Sequence, residues 1–166
     1  METTIREWDL SYAKELAVIL NNKKIQDNLR DGLPFPYQIA DAEEFICTTL
    51  LTNKDMSKAI IVDGKLAGSI GVFRQENNHV RTAELGYFVA EPFWGKGVGT
   101  AAIQQIVSHV FDSTDIVRIF AEPFSDNLAS CRVLEKAGFQ LEGTLRKNAL
   151  KNGQIKDMQM YAKINE

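Results

Sequence analysis

Three glycines at alternate positions, Gly95, Gly97 and Gly99, lie between an apolar, strand-like run from Leu85 to Val89 and a helical pattern from Ala101 to Phe111. A strand that turns into a helix through such a loop leaves its backbone bare. Successive N–H groups can then point into one concavity at the positive end of a helix dipole. The segment Gly95, Lys96, Gly97, Val98, Gly99, Thr100 therefore reads as a socket for a phosphate or pyrophosphate, and the chain is expected to bind a nucleotide-like cofactor.

A chain of 166 residues is most simply one domain with a real core, here taken as 1–166. The net charge of −3 argues against a broad nucleic-acid surface. The N-terminus shows no basic segment followed by an apolar run, and no stretch approaches the length of a membrane span. No signal peptide, no membrane partner and a cytoplasmic location are the expectation. Cys47 and Cys131 are predicted on helices and read as reduced, partly buried thiols. His79 and His109 are too isolated for a metal site or a Ser-His-Asp relay, so no metal is expected.

Along the chain, Ile5–Trp8 reads as a short strand. Ser11 can cap a helix to about Leu20, and Asn21–Tyr37 reads as helix end and loop, broken by Gly32, Pro34 and Pro36. Asp41 can cap a second helix with Phe45, Ile46, Leu50 and Leu51 on one face. Ala59–Val62 and Leu66–Phe73 are β-rich runs joined by Asp63-Gly64, a hairpin signal, and Thr82–Val89 pairs next in a meander. After the glycine loop and its helix come a strand at Ile116–Ala121 and a helix capped near Ser125 or Asp126 and stopped by Gly138. Two last strands, about Phe139–Lys147 and Ile155–Ile164, flank a turn at Asn152-Gly153. The order β-α-α-β-β-β-α-β-α-β-β predicts an α/β fold with a mixed, mostly antiparallel sheet of six or seven strands and about four helices.

Familiar glycine motifs fit poorly. No segment matches the Gly-x-x-x-x-Gly-Lys-Ser/Thr P-loop. Gly95 and Gly97 begin a dinucleotide fingerprint, but its third glycine is replaced by Thr100, and an antiparallel meander precedes the loop in place of a parallel βαβ unit. A closer match joins several segments in order. Gly97-Val98-Gly99 follows a strand, with Asn127-Leu-Ala-Ser130 and then Leu134-Glu-Lys-Ala-Gly138-Phe139 downstream. Together they resemble the GNAT superfamily of acyl-CoA-dependent N-acetyltransferases. Leu33-Pro34-Phe35-Pro36, Ala83-Glu84-Leu85-Gly86-Tyr87, Phe93-Trp94-Gly95-Lys96-Gly97 and Phe139-x-x-Glu142-Gly143-Thr144-x-Arg146 are similar to the branch containing the RimJ/RimL ribosomal-protein N-terminal acetyltransferases.

The resemblance implies two central strands, Thr82–Val89 and Ile116–Ala121, splayed to hold coenzyme A, with acetyl-CoA as co-substrate. The pantetheine arm would bond backbone near Tyr87, Phe88 and Val89, with a main-chain N–H near Val89 stabilising the oxyanion. The pyrophosphate would sit on Gly95–Thr100, where Lys96 either touches a phosphate or is simply an exposed charge. Trp94, where many members carry Gln or Arg, is expected to pack. Glu84 matches a position that often holds an acid and is proposed as general base, although strand alternation also permits a solvent-facing Glu. The family's general-acid tyrosine is absent, since Leu134 stands there. In the branch this chain resembles, the residue matching Ser130 is the candidate partner for the CoA sulfur and that matching Asn127 binds the pantetheine; Ser130 bonding its own helix backbone is the alternative.

The acceptor is expected to be a primary amine on a peptide or protein N-terminus or a small molecule. A lysine amine needs roughly 3 kcal/mol more than an α-amine to be neutral at pH 7, which favours an α-amine. Asp27–Tyr37, the Asn77–Arg81 turn and the last hairpin would line its pocket, where Asp27, Asp31 and Glu142 are possible counter-charges. The expected reaction is direct attack in a ternary complex, by a monomer or homodimer. The alternatives are a non-catalytic acyl-CoA-binding or sensor module, and transfer from another acyl donor such as succinyl-CoA.

Overall fold

The computed structural model describes residues 1–166. Strand β1 (Thr3–Glu7) leads through a single 3-10 turn into α1 (Ala13–Leu20), followed by a one-turn α2 (Lys23–Gln26) and α3 (Ile39–Thr52). The meander is β2 (Ser57–Val62), β3 (Lys65–Arg74) and β4 (Thr82–Val89). Then come α4 (Val98–Ser113), β5 (Arg118–Ala121), α5 (Leu128–Lys136), β6 (Gln140–Lys151) and β7 (Gln154–Ile164). One seven-stranded sheet has the order β1-β2-β3-β4-β5-β7-β6, and only β4 and β5 run parallel. A parallel pair needs a crossover, which α4 supplies. The helices number five, one more than expected, because a single turn forms inside the segment read as helix end and loop.

Strand alternation sends side chains to two cores. Ala83 and Leu85 of β4 pack with Val98, Ile103 and Ile106 of α4 and Leu134 of α5. On the opposite face Trp8, Leu16, Leu20 and Ile46 of the first helical layer meet Ala59 and Ile61 of β2. Both hairpins with two-residue turns have positive φ at each central residue, Asp63-Gly64 and Asn152-Gly153, as right-handed strand twist favours.

Several local boundaries differ from expectation, each for a visible reason. Strand β1 ends at Glu7, and Trp8 turns into the core at 2% exposure. Asp9, not Ser11, caps the first turn, its carboxylate accepting the Ser11 N–H at 2.9 Å. Gln38 caps α3, and Asp41, the third residue of the helix, completes the capping box by accepting the Gln38 N–H at 2.8 Å. Leu51 is 86% exposed, since five residues beyond the buried Ile46 rotate it about 140° around the helix. Cys47 is likewise exposed, whereas Cys131 is buried. The helix after β5 begins at Leu128 under Asn127, because the Ser125 N–H bonds Asp157 and Asp126 pairs with Lys156. Strand β5 begins at Arg118, where pairing with Thr82 starts, and the last hairpin is longer than expected.

At the outer edge of the sheet Gln105 of α4 behaves like a neighbouring strand. Its side chain accepts the Ile5 N–H at 3.2 Å and donates to the Thr3 carbonyl at 2.8 Å. Gln105→Ala is expected to destabilise the fold by about 1–2 kcal/mol, because two β1 main-chain groups lose their partner. Chemical denaturation would show it, and an unchanged midpoint would mean that water replaces the side chain without loss.

Candidate active site

The sheet opens in its middle. Strands β4 and β5 pair only over Thr82↔Arg118, Ala83↔Ile119 and Glu84↔Phe120. Beyond Glu84, β4 runs on to Val89 paired only with β3. The chain after β5 stays instead with β7, where the Gln159 N–H bonds the Pro123 carbonyl and the Ser125 N–H bonds the Asp157 carbonyl, both at 2.9 Å. The result is an unpaired strand edge of roughly 13 Å from Leu85 to Val89.

Which backbone groups face that edge follows from alternation along an antiparallel ladder. The Ala90 N–H bonds the Ala67 carbonyl of the β3 side, and the Phe88 carbonyl lies against Gly68. Tyr87 and Val89 therefore turn their N–H and C=O groups to the gap, while those of Phe88 belong to the β3 ladder. Trp94 does more than pack: it is 43% exposed, and its indole N–H donates to the Val89 carbonyl at 2.6 Å. One gap-facing acceptor is thus engaged, and the Val89 N–H remains directed outward.

The open edge runs into the glycine segment. Helix α4 starts at Val98, so Val98, Gly99 and Thr100 are its first turn rather than loop. Gly97 is the N-cap in left-handed conformation (φ 78°, ψ 7°), with no capping side chain and no acid in the first turn. The free N–H groups of that turn make a fit for a phosphate group. Gly95, Lys96 and Gly97 are exposed, and Val98 anchors the turn in the core. At Gly99 a Cβ would sit 3.3 Å from Val133 and 3.4 Å from the Tyr87 ring. A methyl group there would press on both side chains, so Gly99 lets α4, α5 and β4 meet without displacing them.

Glu84 and Tyr87 lie on opposite faces of β4. Glu84, at the last paired position before the gap, is half-buried, and none of the ion pairs of the chain includes it. Burial holds its carboxyl above the ordinary range, and the charge of Glu122 adds to this. On the other face the Tyr87 hydroxyl meets the Ser130 Oγ at 3.0 Å. Ser130 thus bonds across to β4 and not to its own helix. Asn127 caps α5, its side-chain oxygen accepting the Ser130 N–H at 3.2 Å.

The possible counter-charges for an acceptor have partners within the chain. Glu142 forms a bidentate pair with Arg118 at 2.7 and 2.8 Å. Asp31 pairs with Lys151 at 3.1 Å, and Asp27 accepts from Asn152 at 3.1 Å. These last two contacts tie the β6–β7 turn to the segment before α3. The Asn77–Arg81 turn instead bonds Arg74 and Asp115. Two clefts of about 690 and 600 Å³ lie beside α4 and α1, and neither is lined by Glu84, Tyr87 or Ser130. The Tyr87–Ser130 contact, the Trp94 bond and the Glu122 neighbour had no local sequence signal, because each joins separate elements.

A parallel strand pair splayed beside an uncapped helix N-terminus, within this strand order, defines the acyl-CoA N-acyltransferase fold. The chain belongs to the GNAT acetyltransferase family, its residues 2–140 matching the acetyltransferase (GNAT) domain. It is 32% identical over 142 residues to the ribosomal-protein-serine acetyltransferase of Escherichia coli (strain K12), covering 82% of this chain and 79% of that one. It is 40% identical over 103 residues to the probable N-acetyltransferase YjcK of Bacillus subtilis (strain 168), covering 62% of this chain and 57% of that one. The chain spans about half the length of several such curated relatives. Among solved structures, the microcin C7 self-immunity acetyltransferase MccE in complex with acetyl-CoA and AMP has a TM-score of 0.86 at 30% identity, covering 99% of this chain and 93% of that one.

Proposed function

We propose that this chain transfers an acetyl group from acetyl-CoA to a primary amine, with a peptide or protein α-amine as the preferred acceptor. The observation that carries the reading is the open β4 edge continuing into the bare N-terminus of α4. Such a line of main-chain groups suits an amide-bearing pantetheine arm followed by a pyrophosphate. The MccE structure, which holds acetyl-CoA, supports the donor, and the ribosomal-protein-serine acetyltransferase supports the acceptor class.

In this reading Tyr87 bonds the arm through its backbone, and the first turn of α4 takes the phosphates. The Val89 N–H faces the developing oxyanion, a fixed dipole that needs no reorganisation during the reaction. Glu84 removes the amine proton from the opposite face of β4. Its raised pKa brings it nearer to that of the proton it accepts, which makes it a better base than an exposed carboxylate.

The test is thiol release from acetyl-CoA with a panel of peptides, free amino acids and polyamines. Peptides with a free α-amine should turn over faster at pH 7 than the same peptides blocked at the N-terminus and carrying only lysine. Tight CoA binding without turnover of any amine would overturn the enzymatic reading and leave a binding module.

A further inference from the structure

The expulsion of a thiolate from a tetrahedral intermediate is helped by a hydrogen-bond donor at sulfur, and the chain's two hydroxyls beside the gap are already bonded to each other. Tyr87 on β4 and Ser130 on α5 are separate in sequence and meet at 3.0 Å. The Tyr87 ring packs against the main core together with Val89 and Val133, close beside Gly99 in the first turn of α4. It therefore has little freedom to swing away. Ser130 is the third residue of α5, so its hydroxyl stands at the positive end of that helix dipole. Leu134, one turn further along α5, is fully buried and contributes only packing.

Resting on the acetyl-transfer reading above, we infer that Tyr87 and Ser130 form a hydroxyl relay to the departing sulfur, with Tyr87 the positioning residue that turns the Ser130 proton toward the gap. A phenol is the better donor of the two, so Tyr87 donates to the Ser130 Oγ and leaves the serine hydrogen free. In the step itself the amine nitrogen bonds the acetyl carbon, the C–S bond breaks and its electron pair goes to sulfur. The Ser130 proton moves to sulfur and the Tyr87 proton moves to Ser130. The phenolate recovers a proton from water, and Glu84 releases to water the proton taken from the amine. Burial raises the Tyr87 phenol, the Ser130 bond partly offsets this, and Cys131 is the titratable group that faces it from α5. Its α4 and β4 neighbours, Gly99 and Val89, carry no charge. The phenol therefore keeps its proton across the working pH range.

The inference has a readout that needs no acceptor. The thiol pKa of bound CoA is read from thiolate absorbance, with the S-methyl-CoA complex subtracted so that Cys47, Cys131 and the tyrosines cancel. Tyr87→Phe should raise that pKa by about one unit while calorimetry gives an unchanged CoA affinity. Ser130→Ala should do the same, and the double variant should add little, as for two members of one chain of bonds. In turnover, Tyr87→Phe should lower kcat about tenfold with KM for acetyl-CoA unaltered. A fluorotyrosine at position 87 should restore kcat and move its alkaline fall to lower pH. A folded Tyr87→Phe protein with wild-type thiol pKa overturns the relay, whatever its activity. If the pKa shifts but wild-type protein acetylates no amine, the functional reading fails and the relay stands.

Discussion

Gly97→Glu should abolish CoA binding, with affinity falling at least about 100-fold and the fold intact. Three effects act at this position and can be separated. The left-handed backbone (φ 78°) costs any L side chain about 1 kcal/mol, which Gly97→Ala would report alone. A Cβ there meets no heavy atom within 4 Å, so the side chain causes no clash in the folded protein. A carboxylate at the N-terminus of a 16-residue helix with no acid in its first turn interacts well with the dipole, which offsets part of the strain. The melting temperature should therefore change little, while the negative group competes directly with the phosphates. Calorimetry on both variants checks this. Wild-type affinity in a folded Gly97→Glu protein would remove the pyrophosphate from residues 95–100.

Glu84→Gln should lower kcat by roughly 10²–10³-fold and leave CoA affinity unchanged. The pH dependence gives the sign. Two groups must lose a proton before attack, the amine with a pKa near 8 and Glu84, whose carboxyl is held above the ordinary range by burial. Below the fall set by the amine itself, wild-type kcat/KM should drop more steeply as Glu84 takes up a proton, and this second limb should vanish in the Gln variant. Glu122→Gln removes the like charge and should move the limb to lower pH. Stability shifts in the opposite sense to activity. The folded pKa lies above the unfolded one, so this group favours the folded state most at acid pH, and that contribution is lost as pH rises through the folded pKa. At neutral pH a half-buried carboxylate without a cation is a cost. Gln at position 84 should then raise the melting temperature at pH 7 and leave it unchanged well below the carboxylate range. A variant with wild-type kcat at every pH would show that Glu84 is only a strand residue.

The local code of the chain was easy to read where a few neighbouring residues decide the outcome. Asp63-Gly64 and Asn152-Gly153 make the turns their composition demands, and Thr82–Val89 is the strand that its alternation marks. The glycine segment was legible for a related reason, since a bare backbone beside a helix start is itself local. Helix boundaries were less clear. The first turn of α4 carries Gly99, which propensity disfavours, but tertiary packing of Val98 and the rest of the helix against the core overrides it, and Gly99 fits closely beside Tyr87 and Val133. The partners of Glu142, Asp31 and Trp94 lie on other elements, so no window of sequence contains both halves of any of these contacts. The family resemblance supplied what local reasoning lacked for the splayed strands, but not the Tyr87–Ser130 contact.

The opening between β4 and β5 is held apart by main-chain bonds, from Gln159 to Pro123 and from Ser125 to Asp157. A backbone carbonyl accepts whatever side chain its residue bears. Mutation at these positions can thus change the walls of the cleft without closing it, and the outward-facing main-chain N–H of Val89 is equally indifferent to which side chain Val89 bears. The width of the opening is therefore a property of the strand order rather than of any one side chain.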